Sequence, residues 1–307
     1  MKWITLFVSI LCPTLCWAHS DENFVESDLF GNLGPRDKAA VLMVHFGTTY
    51  DDTRVLTIDA INTRMETAFP GVEFREAWTS RIILRKLKSR GVEKLNPTEA
   101  LIRLHEDGYT HILIQSTNVI EGTEMKELRR EVESLSLNFK DIRVGNPLLY
   151  APEDYKIVVE AITGAINQAF KDGQKVLVGH GTPDPATASY AMFDYMLKAE
   201  GHTDYHVGTV EGYPTYTDAL HLLKARKSRT VTLASLMFVA GDHARNDIAG
   251  EWKEQLEKEG YRVNLYLKGL GENPTVQELF VRHARFAAGH KAVDMKAKKA
   301  AYKAGKE

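Results

Sequence analysis

Val176-Leu-Val-Gly-His-Gly-Thr182 is an apolar run that stops at a histidine set between two glycines. Its apolar residues suit a strand buried on both faces. Gly181 lets the chain turn sharply and lets a ligand approach the backbone, so the imidazole of His180 falls at the strand's carboxyl end. An earlier stretch, Val41-Leu-Met-Val-His-Phe-Gly-Thr48, echoes it. Each is followed by a helical pattern, a strand, a second helical pattern and a further apolar strand. Those last strands end alike, in Val119-Ile-Glu-Gly-Thr-Glu124 and Phe238-Val-Ala-Gly-Asp-His243. The matched order of elements argues for duplication over chance likeness between βα units.

Working outward, residues 39–46, 72–78, 111–116, 175–179, 205–210, 230–238 and 263–267 read as buried strands. Helical periodicity covers 54–68, 97–107, 124–135, 152–170, 215–226 and 247–259. Alternating βα units imply parallel sheets covered by helices. The predicted fold is therefore α/β, with two similar Rossmann-like lobes, 39–150 and 151–290, facing each other across a cleft. Ligands of open α/β sheets bind beyond the carboxyl ends of strands.

Three side chains of the second half lie at such ends: His180, Glu211 before Gly212, and His243. Two imidazoles and a carboxylate form a common ligand set for divalent first-row metals where positions stay open for exchange. Singly, each has an ordinary structural reading: a hydrogen-bonded histidine, or a carboxylate capping the helix near Pro214. Three suitable residue types at equivalent topological places favour a site. His202, His206 and His221 compete from loop, early-strand and helix positions. Arg81, Arg85, Lys86, Lys88 and Arg90 fall in one acid-free stretch, which reads as a solvated helix face for Lys86, Lys88 and Arg90. Arg54 and Arg81 are the candidate contacts for an anionic ligand, and Met237, Phe238 and Tyr213 for an apolar one, Met237 and Phe238 serving equally well as core.

The segments Val178-Gly-His-Gly-Thr182 and Ser235-Leu-Met-Phe-Val-Ala-Gly-Asp-His-Ala-Arg-Asn-Asp247 resemble the anaerobic sirohydrochlorin cobaltochelatases, a class II chelatase family. Phe46-Gly-Thr48, Ala77-Trp-Thr-Ser-Arg81, Gln115-Ser116 and Val119-Ile120 resemble it too, so the likeness runs from about Ala39 to Phe286. It implies a ferrochelatase-like bilobal fold holding a tetrapyrrole between lobes. It also implies insertion of cobalt, with iron and nickel as alternatives, in tetrapyrrole and cobalamin synthesis. The family's two histidines and glutamate carry over to His180, His243 and Glu211. Two departures stand out: Asp184 replaces a frequent second histidine, and Ser116-Thr-Asn118 replaces a frequent Ser-Leu-His. A neutral imidazole near its reference pKa of about 6.5 suits either ligation or proton acceptance near neutral pH.

The ends and the composition bound the setting. Lys2, the apolar run to Trp17 and Cys16-Trp17-Ala18 have the form of a signal peptide cleaved after Ala18, which predicts a periplasmic protein. The run is shorter than the roughly 20 residues that span a bilayer, and no later segment is long enough. Both cysteines lie within it, so the mature chain offers no thiolate ligand. A net charge of −2 gives no support to nucleic-acid binding. Residues 19–38 read as a flexible lead-in and 291–307 as a lysine- and alanine-rich tail. Export sits awkwardly with cytoplasmic tetrapyrrole synthesis. The alternatives are a periplasmic carrier of haem or metal-tetrapyrrole, an enzyme removing metal, or a metal-binding protein without tetrapyrrole. Haem as an additional group and association with a second copy stay open.

Overall fold

A computed structural model describes residues 23–31, 33–135 and 137–303. The expected signal segment, 1–18, lies outside them. A short strand β1 (Phe24–Glu26) precedes the first sheet, formed by β2 (Ala39–His45), β3 (Glu73–Trp78), β4 (His111–Ser116) and β5 (Asp141–Val144). Its order is β3-β2-β4-β5, every pair parallel. The second sheet, of β6 (Gln174–Gly181), β7 (Tyr205–Glu211), β8 (Thr230–Ser235) and β9 (Arg262–Tyr266), repeats the pattern as β7-β6-β8-β9, again parallel. A last strand, β10 (His290–Ala292), pairs antiparallel with β1.

Helices fill the crossovers. In the first half α1 (Asp51–Arg54) runs through a π-helical turn, Val55–Asp59, into α2 (Ala60–Ala68). Then come α3 (Arg81–Lys88), α4 (Pro97–Glu106) and α5 (Thr123–Ser134), and α6 (Pro152–Ala169) joins the sheets. The second half carries α7 (Ala188–Ala199) and α8 (Tyr216–Lys224), then a π-helical segment, Ala244–Trp252, leading into α9 (Lys253–Lys258). The chain ends through α10 (Pro274–Gly289) and α11 (Met295–Lys303). Local chemistry sets several starts. Asn96 and Glu99 form a capping box before Pro97, Thr215 and Asp218 another, and Ser80 accepts the Ile83 amide at the head of α3; each satisfies amides that the first helical turn leaves free.

The two sheets share a core. Val41, Met43 and Leu113 of the first and Leu177, Val207 and Ala234 of the second belong to one buried cluster, filled between them by Val158 of α6 and Phe280 of α10. This amends the lobe boundaries: α10 lies in the C-terminal span 151–290, yet packs on α2, β4 and β5 of the first half as well as on α6. Its buried Val276, Leu279, Phe280 and Val281 each contribute about 1.5–3 kcal/mol by leaving water, on a surface that both halves supply.

Two expectations change at the margins. The strand expected over 230–238 ends at Ser235, because Met237 and Phe238 turn their carbonyls to the amides of Leu270 and Gly271. The lead-in is not free from Phe24 onward: β1 is paired, Leu29 is buried, and Arg143 donates to the carbonyls of Ser27, Ala288 and His290. The lysine- and alanine-rich tail is helical from Met295 to Lys303, as α11.

The repeat also has a register. Thr117 N bonds Val44 O, and Leu236 N bonds Val178 O. Ser116 pairs with Val44 as Ser235 does with Val178. Val44 thus corresponds to Val178, His45 to Gly179 and Phe46 to His180. Counting eight residues on from Ser116 and from Ser235 equates Glu124 with His243. Superposing the histidines of the two echoing stretches, His45 on His180, is therefore one residue out. Side chains alternate along a strand, so a one-residue slip reverses the face.

Candidate active site

The β6 strand delivers His180 to the mouth between the sheets. Gly181 follows with φ +87°, and a Cβ there would stand 1.3 Å from the carbonyl oxygen of Glu211. The strand ends of β6 and β7 abut so closely that only glycine fits. His243 comes from the loop after β8 and caps the π-helical segment that carries Asp247 four residues on. The two imidazoles meet edge to face, ring centroids 4.7 Å apart at 74°.

Their hydrogen bonds define what they offer. His180 Nδ1 donates to Gly181 O at 3.0 Å, and His243 Nδ1 donates to the Asp247 carboxylate at 2.6 Å. A carbonyl and a carboxylate can only accept, so in each neutral ring the proton sits on Nδ1 and the lone pair on Nε2. No described residue hydrogen-bonds either Nε2. This is the arrangement of a metal-ligating histidine held by a partner behind it.

Glu124, at the start of α5, is the carboxylate that feels both rings. Protein atoms crowd its head although the residue opens to the cavity, and that burial raises its pKa while His180 and His243 pull it down. Glu124 was not among the sequence-derived ligands. Its signal was the eight-residue spacing that equates it with His243. Glu211 does reach the same cavity but is exposed at its lip, because the β6–β7 abutment involves its backbone, not its carboxylate. Among the described residues no three of His, Cys, Asp and Glu are grouped closely enough to hold an ion as they stand, while His180, Glu211 and His243 all line the one cavity.

The cavity encloses about 690 Å³, within the roughly 300–1,000 Å³ usual for a bound small molecule. Both halves wall it: Phe46, Ile82 and Val119 from the first, Leu236, Met237 and Phe238 from the second. Met237 and Phe238 are at once wall and core, 9% and 7% exposed. Phe238 stacks on His45 at 6.3 Å. His45 is buried and tied to Thr117 and Asn62; desolvation pushes its pKa down to about 4, so it stays neutral.

Other expected contacts lie elsewhere. Arg54 pairs with Asp51 and Asp59, Arg81 is exposed, and Tyr213 is exposed with its carbonyl accepting from Thr187; none of the three lines the cavity. The cation that does is Lys86, expected on a solvated face. His206 is buried against Gln174 and His202 meets Thr163, so neither they nor His221 reaches the cavity. Two ties span the mouth between the halves. Lys126 pairs with Asp184 at 2.7 Å beside a Thr123–Thr182 contact. Opposite, Tyr50 donates to Asp242 and Arg245 pairs with Asp52. Asp184 therefore serves as an interlobe anchor, and Asn118 lines the cavity, its amide bonded to Ser116 Oγ.

A paired-sheet α/β protein with two unengaged imidazole nitrogens over an apolar cavity has the build of a chelatase, which must hold an exchangeable ion against a flat ring. Comparison with known proteins agrees. Residues 39–288 match the family described as "CbiK: Cobalt chelatase (CbiK)". The chain is 35% identical over 269 residues to the sirohydrochlorin cobaltochelatase of Salmonella typhimurium, covering 86% of this chain and all of that one. It is 31% identical over 257 residues to sirohydrochlorin cobaltochelatase CbiKC of Nitratidesulfovibrio vulgaris, covering 81% and 90%. The fold is that of SirB from Bacillus subtilis, solved with Fe3+, at a TM-score of 0.61 and 15% identity, covering 82% and 96%. The chain belongs to the CbiK cobalt chelatase family.

Proposed function

We propose that this protein is a cobaltochelatase that inserts a divalent ion into sirohydrochlorin or a closely related carboxylated tetrapyrrole. The observation that carries the reading is the pair of Nε2 lone pairs on His180 and His243, with Glu124 beside them, over an apolar cavity walled by both halves. The names of the two cobaltochelatase relatives support cobalt as the ion and sirohydrochlorin as the ring. In this reading the metal is a substrate. The two imidazoles take the aquated ion and hold it in an open shell that water completes, so it can leave for the ring. Met237 and Phe238 flatten the macrocycle against the second half. Insertion forms metal–nitrogen bonds and releases the two pyrrole protons; Glu124 is the nearby base when ionised, and Glu211 at the lip passes protons to solvent.

The reading extends to iron or nickel as weaker substrates, and to a periplasmic setting reached through a signal peptide at residues 1–18. Among the described residues no helix is long and apolar enough to cross a membrane. Anaerobic incubation of the purified protein with sirohydrochlorin and Co2+, Fe2+ or Ni2+, followed by visible absorbance, tests the activity. Metallation faster than the protein-free rate, fastest with Co2+, is expected. Tetrapyrrole binding with no insertion of any of these ions would instead make the protein a carrier. N-terminal sequencing of periplasmic material tests export: a chain beginning near His19 is expected, and an intact Met1 on cytoplasmic protein would overturn it.

A further inference from the structure

The acid-free stretch of α3 has a use that a solvated helix face does not explain. The helix begins at the Ser80 cap and buries Ile83 and Leu87. Ile82, 59% exposed, joins Ile83 and Lys86 in the cavity wall. Lys86 is the only lysine or arginine among the residues lining that cavity. It lies one turn beyond Ile82, so the helix sets an apolar surface inside and an ammonium group at its edge.

The neighbouring charges are uncompensated. Arg85 Nε donates only to the Arg81 carbonyl, and Arg90 Nη1 to the Thr49 carbonyl at 2.8 Å. Among the described residues, Arg85, Lys88 and Arg90 form no ion pair, and Lys86 comes no nearer a carboxylate than 3.9 Å, to Asp242. That carboxylate already accepts from Tyr50 at 2.7 Å. Other cations of the molecule are paired: Arg54 with Asp51, Lys126 with Asp184, Arg129 with Glu121, Arg245 with Asp52. Cations in the last turn of a helix favour its dipole, which accounts for Arg85 and Lys88. It does not account for Lys86 being turned to the cavity, or for Arg90, beyond the helix, holding the loop at Thr49.

We propose that α3 is the carboxylate rim of the substrate site. Lys86 receives a peripheral carboxylate of the tetrapyrrole while the ring plane lies on Ile82, and Arg85 and Arg90 supply a positive field that draws the polyanion to that edge. Arg90 fixes the rim to the loop after β2, so ring and ion are set in register. This rests on the chelatase reading and names the side of the cavity that selects a carboxylated over an uncharged macrocycle.

Sirohydrochlorin affinity, read by absorbance titration, and the steady-state constants for Co2+ insertion are measured for wild type, Lys86→Gln and Lys86→Glu. Arg103→Glu, on the exposed face of α4, controls for a change in overall charge. An exposed pair is worth up to about 1 kcal/mol, so Lys86→Gln is expected to raise Kd and KM for the tetrapyrrole about three- to fivefold. Lys86→Glu, which adds repulsion, should raise them by more than roughly tenfold. The metal KM should stay within about twofold in both, and Arg103→Glu should match wild type. Added salt should weaken wild-type binding more than that of Lys86→Glu. Unchanged tetrapyrrole constants in Lys86→Glu, with wild type active, would overturn the rim and leave the chelatase reading intact. A Lys86-dependent Kd in a protein that inserts no metal would uphold the rim and remove the enzyme. Equal losses in Arg103→Glu and Lys86→Glu would overturn the rim as a local contact.

Discussion

His243 is held by Asp247 at 2.6 Å, and the consequence is specific. Asp247→Asn keeps the size but loses the charge that fixes the imidazole. Changes of this kind behind a ligand typically cost about 10- to 100-fold in metal affinity; the metal KM should rise on that scale with tetrapyrrole KM unchanged, and steady-state kinetics checks both. Glu124→Gln should cost more insertion rate than Glu211→Gln, since Glu124 interacts with both rings while Glu211 stands at the lip; a larger loss in Glu211→Gln would reverse the two roles. The sequence made His180 legible because a glycine-flanked histidine at a strand end has few other uses, and His243 because it follows the next strand at the same rim. It did not single out Glu124, because strand-end position alone cannot say whether a side chain or a backbone faces its neighbour. At residue 211 it is the backbone. His45 and His206 make a separate prediction. Both are buried, and desolvation lowers each to about 4. A depressed histidine contributes stability that is complete above its unfolded pKa of about 6.5 and is lost as pH falls through about 4. Urea unfolding should therefore show stability falling between those values, by up to about 1.4 kcal/mol per pH unit for each ring; a flat profile there would contradict their buried, neutral state.

Among the elements, the π-helical segment after β8 and the glycine turn after β6 do the positioning. Gly181→Ala would force a left-handed backbone at a cost of about 1–3 kcal/mol and drive a methyl group into the Glu211 carbonyl. Thermal melts should show at least that loss, with insertion falling as the His180 turn shifts. At the other end, Arg143 donates to the carbonyls of Ser27, Ala288 and His290 and pairs with Asp141. Arg143→Leu should free the β1–β10 pair, read as faster amide exchange over residues 24–29 and 288–293, while the two sheets stay protected. Protection unchanged there would mean the strand pair stands by itself. The parallel strands were readable because they are continuous apolar runs. β5, Asp141-Ile-Arg-Val144, was not, because an edge strand with a buried arginine carries no such run. β1 and β10 were hidden for a like reason: their pairing is between chain ends, with no local periodicity to announce it.

At the scale of the molecule, two sheets of matching order share one core through α6 and α10. The duplication was legible from repeated motifs, but its register was not: only the Val44–Thr117 and Val178–Leu236 hydrogen bonds show that Phe46, not His45, stands where His180 does. The return of α10 to the first half was equally hidden, since an amphipathic helix does not name the surface it will cover. The asymmetry has a meaning. One half presents the imidazole pair and the Met237–Phe238 wall, while the other supplies Glu124, Phe46 and the basic edge of α3, so the cavity is complete only with both halves. The most direct test is the initial rate of Co2+ insertion into sirohydrochlorin, above the uncatalysed background, for wild type and for the double variant His180→Ala, His243→Ala, with tetrapyrrole binding measured on the same samples. The double variant should bind the ring within a few-fold of wild type, because apolar walls and α3 grip it, and should metallate only at the background rate. A double variant that metallates as fast as wild type would contradict the assignment of the site.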